Sequence, residues 1–235
     1  MPRHPLQRLT APSRSLSLIV HALGIASFSY NFNFLYNWET PISVSYGSHF
    51  QFLTILGLTA SLIAFILGLA ADLTLNQALF DAKNAIAVIA TPLEVVVSIL
   101  YWGIRMIDPE LLFAGDEFVL PLLTDMGFHL APAVFLTADL ILFSPPWTIP
   151  AYGVMLMSTG LAFGYWYWIE LCFSVNGWYP YPIFAVLNTT QRALLFTFAA
   201  FLSTMSSIGL KWVYSKVNGY EIGRREAHKP LKKVQ

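Results

Sequence analysis

Residues 52–73 read FLTILGLTASLIAFILGLAADL, with a single ionisable residue, Asp72, close to the end. About 20 largely apolar residues, rising ~1.5 Å each, suffice to carry an α-helix across the hydrocarbon layer of a bilayer. From Thr54, the positions Gly57, Ser61, Ala64 and Gly68 recur at intervals of three and four, which places a stripe of small residues on one helix face. Stripes of this kind let membrane helices approach closely. The run is therefore predicted to span the membrane with that face turned towards its neighbours.

Five further runs have the same character: Leu16–Leu35, Ala85–Ile104, Met126–Phe143, Ala151–Phe173 and Ala193–Tyr214. Pro132 interrupts the fourth run in sequence order (126–143), which a packed membrane helix tolerates. The composition agrees, with 56% hydrophobic and 11% charged residues and a mean hydropathy of +0.60. A soluble domain carries about 25% charged residues. Period-two alternation is absent, which argues against a β-barrel. The expected fold is all-α, a polytopic membrane helical bundle of about six transmembrane helices. It divides into an N-terminal segment (1–15), a membrane domain (16–214) and a basic tail (215–235).

The basic N-terminus followed by an apolar run resembles a secretory signal. Asn31, Asn33 and Asn37 stand where a small-residue cleavage site would be, so the run reads as a retained first helix. Six crossings place every Lys and Arg except Arg105 and Arg192 on one side, out of 13 in all. By the positive-inside rule both termini are expected in the cytosol. Lys83 is expected in the connection between the second and third helices. The closing Lys232-Lys233-Val234-Gln235 resembles a dilysine retrieval signal, which implies an endoplasmic-reticulum membrane protein whose tail is recognised by coat protein. A net charge of +0 gives no attraction to nucleic acid. Cys172 stands alone, and no Cys/His cluster has metal-ligand spacing, so neither a disulfide nor a metal is implied. Asn188-Thr189-Thr190 is a glycosylation sequon close to the sixth helix. The aromatic cluster Tyr165, Trp166, Tyr167, Trp168, Trp178, Tyr179 and Tyr181 reads chiefly as an interfacial belt.

Ionisable residues inside membrane spans are costly and mark candidate sites. His21 and Asp72 sit near the cytosolic ends, where water is expected to reach them. Glu94, at the middle of the third helix, reads either as a hydrogen-bonded neutral acid or as an ion-pathway residue. Asp139 lies ten residues from His129, too far for contact, and is expected either to polarise a different layer or to bond from helix to helix. His129 begins a small-residue stripe with Ala133 and Thr137, about one turn below the lumenal surface. Thr54 should lie at the same depth on its own helix. A hydroxyl beside an imidazole is the minimum apparatus for nucleophilic catalysis, because the imidazole takes the proton as the oxygen attacks a carbonyl. The competing reading is ordinary: membrane threonines usually bond their own i−4 carbonyl. Glu170 has the depth to orient His129.

Three stretches carry a resemblance. Tyr46-Gly47-Ser48-His49-Phe50-Gln51-Phe52-Leu53-Thr54 resembles the approach to the catalytic threonine in the androgen-induced and androgen-dependent (AIG/ADTRP) family of multi-pass membrane hydrolases. Gly127-Phe128-His129, with Pro132 and then Asp139–Phe143, is similar to the segment around that family's catalytic histidine. Gly177-Trp178 and Tyr181-Pro182 resemble its tryptophan and Tyr-Pro element. The resemblance covers residues 16–214. It implies a threonine hydrolase, without a cofactor, that cleaves lipid esters from the bilayer, namely fatty acid esters of hydroxy fatty acids. Thr54 would be the nucleophile and His129 the base, with Trp178 and Tyr181 as substrate-contacting candidates. The acidic 106–125 connection and the Tyr179-Pro180 spacing depart from the family's pattern and bear on substrate choice. The alternative is a non-enzymatic membrane transporter or adaptor, with Glu94 and Asp139 serving the transporter.

Overall fold

The computed structural model describes residues 14–113, 120–145 and 149–218. Eight α-helices follow one another: α1 (Arg14–Asn37), α2 (Leu53–Thr74), α3 (Gln77–Ile107), α4 (Leu122–His129), α5 (Ala131–Phe143), α6 (Ala151–Asn176), α7 (Ile183–Val186) and α8 (Thr189–Asn218). Short 3-10 turns at Ser48–Gln51 and Pro109–Leu111 precede α2 and follow α3. Among the described residues there is no strand.

By length and hydropathy α1, α2, α3 and α8 are each able to cross a membrane, and so is the α4–α5 pair, bent by 43°, when it is taken as one span. The chain is thus an all-α polytopic membrane protein. α6, with 26 residues, matches them in length, but its Gly, Ser, Trp and Tyr content lowers its hydropathy. It nevertheless runs the length of the bundle. The backbone just before it receives Lys211 of α8 at Ile149, and its last residue, Asn176, bonds Tyr46 at the opposite end.

Two sequence boundaries shift for local reasons. α3 starts at Gln77, not near Ala85, because Asn76 caps it by accepting from the amides of Ala78 (2.9 Å) and Leu79 (3.3 Å). Lys83 therefore belongs to the helix and not to a connection. The fourth crossing begins at Leu122 and breaks at Leu130. Pro132 has no amide proton and its ring opposes the carbonyl of residue 128, so the chain turns there. This change moves Asp125 from the expected loop onto a helix, one turn before His129.

Small residues do what their stripe implied. Thr54, Gly57, Ser61, Ala64 and Gly68 all fall on the buried face of α2. A Cβ at Gly57 would lie 2.5 Å from Glu94 Oε1, and one at Gly68 2.5 Å from His21 Nε2. Phe28, Leu58, Phe65 and Leu136 form the core of the α1–α2–α5 side. Tyr165, Ile169, Phe184 and Phe196 form a second core, on α6, α7 and α8. α3 lies along α2 and also touches α8, so it joins the two halves.

At the end that holds Arg14 and Asn218, a buried polar network ties the helices together. His21 Nδ1 meets Asp72 Oδ2 at 2.7 Å, and its Nε2 meets Asp139 Oδ1 at 3.0 Å. Lys83 Nζ pairs with Asp139 Oδ2 at 2.6 Å and donates to Ser144 Oγ at 2.8 Å. Asp139 does bond from helix to helix, in a layer remote from His129. Water access at His21 and Asp72, expected from their positions in the sequence, is not found: they are 2% and 3% exposed. Ionic groups buried this deeply need partners, and here each has one from another helix.

Candidate active site

The opposite end of the bundle brings together residues 46–54, 127–129 and 177–182 of the stretches singled out above. Residues 46–53 form a tight loop that sets the first turn of α2, and α6 braces it. Asn176 holds both the amide and the carbonyl of Tyr46, at 2.9 and 3.0 Å, and donates to Gln51 Oε1 at 3.0 Å. Trp168 Nε1 donates to the Phe50 carbonyl at 2.9 Å, and the Tyr165 hydroxyl donates to the Gln51 carbonyl at 2.8 Å. Tyr165 and Trp168 are therefore loop supports. Of the four consecutive aromatics, Tyr167 is the one that is exposed. Gly47 has φ +82°, and a Cβ there would stand 2.9 Å from Cys172 Sγ, so glycine is demanded twice over.

This bracing leaves Thr54 on the first turn of α2 with 6% exposure. The Tyr181 hydroxyl lies near the Thr54 side chain and the backbone of Leu53 and Thr54. The ring of Tyr181 stands edge-on to Phe52, with centroids 5.2 Å apart.

His129 closes α4 and is held on three sides. Its Nδ1 meets Asp125 Oδ1 at 2.8 Å and the Asp125 carbonyl at 3.1 Å. Its ring lies flat on Tyr101, with centroids 3.4 Å apart and planes 2° apart. Tyr101 in turn donates its hydroxyl proton to Asp125 Oδ1 at 2.5 Å, and Arg105 pairs with Asp125 Oδ2. Asp125 is fully buried. With Nδ1 occupied, Nε2 is the nitrogen available for chemistry, and it has no hydrogen-bond partner among the described residues. A carboxylate on Nδ1 fixes the tautomer whose Nε2 lone pair accepts a proton.

Thr54 and His129 line one cavity of about 250 Å³, together with Tyr101, Trp178 and Tyr181. Thr54, Tyr101, Leu112 and Tyr181 also line a second cavity, of about 420 Å³. The threonine thus stands where the two spaces adjoin. Trp178 and Tyr181, singled out from the sequence, are both at this site.

Glu170 is a correction. Its carboxylate accepts from Trp166 Nε1 (2.9 Å), the Tyr179 hydroxyl (2.8 Å) and Arg192 Nη1 (2.9 Å). Arg192, from α8, claims the oxygens that were expected to orient the histidine, and Asp125 holds that place instead. The signal for Asp125 was in the sequence: it precedes His129 by four residues, one helical turn. Tyr101 and Arg105 carry the same four-residue spacing on α3.

The two carboxyls suggested for ion transport lie elsewhere. Glu94 is 1% exposed, accepts from Ser61 Oγ at 3.2 Å and lines neither cavity. Among the described residues no group of three His, Cys, Asp or Glu side chains is placed to hold a metal ion. The Asn188 side chain caps α8 by accepting from the Gln191 amide at 3.0 Å. Lys232 and Lys233 lie outside the described residues.

The sequence pattern of the FAR-17a/AIG1-like protein family matches residues 16–215. A relative in Schizosaccharomyces pombe, named UPF0641 membrane protein PJ4664.05, is 38% identical over 204 residues, covering 86% of this chain and 92% of its own. UPF0641 membrane protein YHR140W of Saccharomyces cerevisiae is 26% identical over 178 residues, covering 68% of this chain and 74% of its own. No solved structure matches. The pattern spans all six helical rods and the site they enclose, and the chain belongs to the FAR-17a/AIG1-like family.

Proposed function

We propose that this protein is an intramembrane hydrolase of lipid esters, with Thr54 as nucleophile, His129 as general base and Asp125 as the residue that orients it. The observation that carries this reading is the shared cavity. A buried threonine and a histidine whose Nδ1 is held by a carboxylate line the same apolar space. The resemblance to the AIG/ADTRP hydrolases supports the same chemistry and names fatty acid esters of hydroxy fatty acids as the substrate class.

The reaction runs in two halves. Thr54 Oγ1 attacks the acyl carbonyl while His129 Nε2 takes the hydroxyl proton. The carbonyl oxygen becomes an oxyanion, and the Tyr181 hydroxyl, which lines the same cavity as Thr54, donates to it. Preorganised donors of this kind are worth about 3–4 kcal/mol each. The intermediate then collapses, His129 returns its proton to the departing alkoxide, and the hydroxy fatty acid leaves. Water, deprotonated by His129, attacks the acyl-threonine, and collapse releases the fatty acid and restores the Thr54 hydroxyl. The mechanism requires the Thr54 hydroxyl to reach His129 Nε2 across the cavity they share once substrate is bound. Catalytic contacts often tighten only once substrate is in place.

The charge distribution supports cytosolic termini, and the closing Lys232-Lys233 supports an endoplasmic-reticulum location, which together put the site at the lumenal end. Lipid enters from the side and water from above. A transporter reading would need a space joined to Glu94 or Asp139, and both are packed among partners outside the two cavities.

The test is an acylating active-site probe applied to the purified protein and to Thr54→Ala and His129→Ala, with the adduct located by mass spectrometry. A Thr54 adduct that depends on His129 is expected. Absence of any adduct, with all three proteins folded, sinks the hydrolase reading.

A further inference from the structure

We infer that the larger cavity, in the cleft between α3 and the α6–α8 pair, is the binding site for the acyl chain of the ester, and that Gly160 and Gly164 set how long a chain it accepts. This assignment rests on the hydrolase reading for the position of the carbonyl.

Three features carry it. The first is continuity: Thr54, Tyr101, Leu112 and Tyr181 line both cavities, so a carbonyl placed at Thr54 has one arm on each side. The second is chemistry. Among the described residues no charged one lines the larger cavity, and at its far end Ser158 Oγ donates to Ser203 Oγ at 3.0 Å, so these hydroxyls satisfy each other. The smaller cavity lies among the loops of the bundle end, against His49, Trp178 and Pro180. An alkyl chain suits the first, and the half of the substrate that bears a carboxylate needs the water near the second.

The third is the glycines. Where Gly24, Gly57, Gly68 and Gly127 lie in their helices, a neighbouring side chain already occupies the space a Cβ would need. At Gly160 and Gly164 a Cβ would meet nothing within 4 Å, and both positions line the larger cavity. Gly103 and Gly209 are equally open but line neither cavity. A mid-helix glycine costs about 1 kcal/mol relative to alanine. On α6 no protein group uses the room those two glycines leave, and a bound chain would.

The cleft also has a length. From Tyr165, which touches the Thr54 loop, to Ser158 is seven residues of α6, or about 10 Å of rise. From Phe196 to Ser203 on α8 is the same distance. An extended chain advances ~3.5 Å per three bonds, so eight or nine carbons reach the serine pair.

The experiment uses full-length protein in nanodiscs and p-nitrophenyl esters from butyrate to palmitate. In the wild type kcat/KM should climb with chain length up to about eight or nine carbons and then level off. Gly160→Leu, about 7.5 Å down the cleft from Tyr165, should lower the palmitate-to-butyrate ratio of kcat/KM at least tenfold, while Gly209→Leu keeps that ratio within twofold. An unchanged ratio in Gly160→Leu overturns the assignment. A second readout needs no turnover: a diazirine-bearing palmitic acid crosslinked to Thr54→Ala should label α6 or α8 along the cleft, and labelling should fall in Thr54→Ala/Gly160→Leu. If the wild type hydrolyses no ester yet the crosslink maps to the cleft, the hydrolase reading fails and the chain site stands. A crosslink outside the cleft removes the chain site whatever the turnover.

Discussion

Replacing Asp125 with asparagine keeps the shape of the side chain and removes its charge. The carboxylate now accepts three contacts: from His129 Nδ1 at 2.8 Å and the Tyr101 hydroxyl at 2.5 Å on Oδ1, and from Arg105 on Oδ2. An amide has one acceptor oxygen and one donor nitrogen. If the oxygen stays towards His129 and Tyr101, the amide nitrogen faces the Arg105 guanidinium, donor against donor. If it turns, the amide nitrogen donates to His129 Nδ1, the imidazole proton moves to Nε2, and the base is lost. Either arrangement penalises the productive tautomer. In a serine protease triad the same exchange lowers kcat about 10⁴-fold, so Asp125→Asn is expected to lower kcat by about 10³- to 10⁴-fold, or ~4–5.5 kcal/mol at 1.36 kcal/mol per decade. The Arg105 side chain is 28% exposed and can turn to water, so stability should fall by only about 1–2 kcal/mol. The assay is steady-state hydrolysis of a lipid ester, with single-turnover acylation to isolate the first half-reaction and thermal unfolding in detergent as the control for folding. A kcat within tenfold of wild type, in a protein that melts normally, refutes Asp125 as the orienting residue.

Three further outcomes are expected. Lys83→Met leaves Asp139 without its 2.6 Å partner in a fully buried site and should cost about 3–5 kcal/mol in denaturant unfolding; Lys83→Met/Asp139→Asn should recover part of that loss. Gly57→Ala sets a Cβ 2.5 Å from Glu94 Oε1 and should destabilise by about 1–3 kcal/mol, with Glu94→Ala relieving the clash in a double-mutant cycle. Asn176→Ala removes three hydrogen bonds that hold the 46–51 loop; ester turnover should drop roughly tenfold, while unfolding shifts by only about 1 kcal/mol for each bond lost.

The helical rods and the inward face of α2 are readable along the chain because both depend on local pattern. Six apolar runs become helical segments, and the small residues from Thr54 to Gly68 become the buried face. That Thr54 and His129 open onto one cavity is also legible, through equal depth on their helices and through the family resemblance. Asp125 is missed because a charged residue in an acidic stretch reads as loop, whereas Leu122 and Leu123 begin the helix just before it. Glu170 is misjudged because depth alone does not say which way a side chain turns; Arg192, 22 residues later, decides that.

Composition and period alone determined that this is a membrane bundle with a small-residue seam and a hydroxyl and an imidazole at one level, since lipid solvation and helical spacing act residue by residue. Tertiary structure alone decided that His21, Asp72, Lys83 and Asp139 are a buried clamp and not a wet surface, that Asp125 and Tyr101 frame His129, and that Thr54 stands between two cavities. Those outcomes depend on which faces of distant helices meet, and a buried charge or an empty space is defined only by the neighbours that surround it.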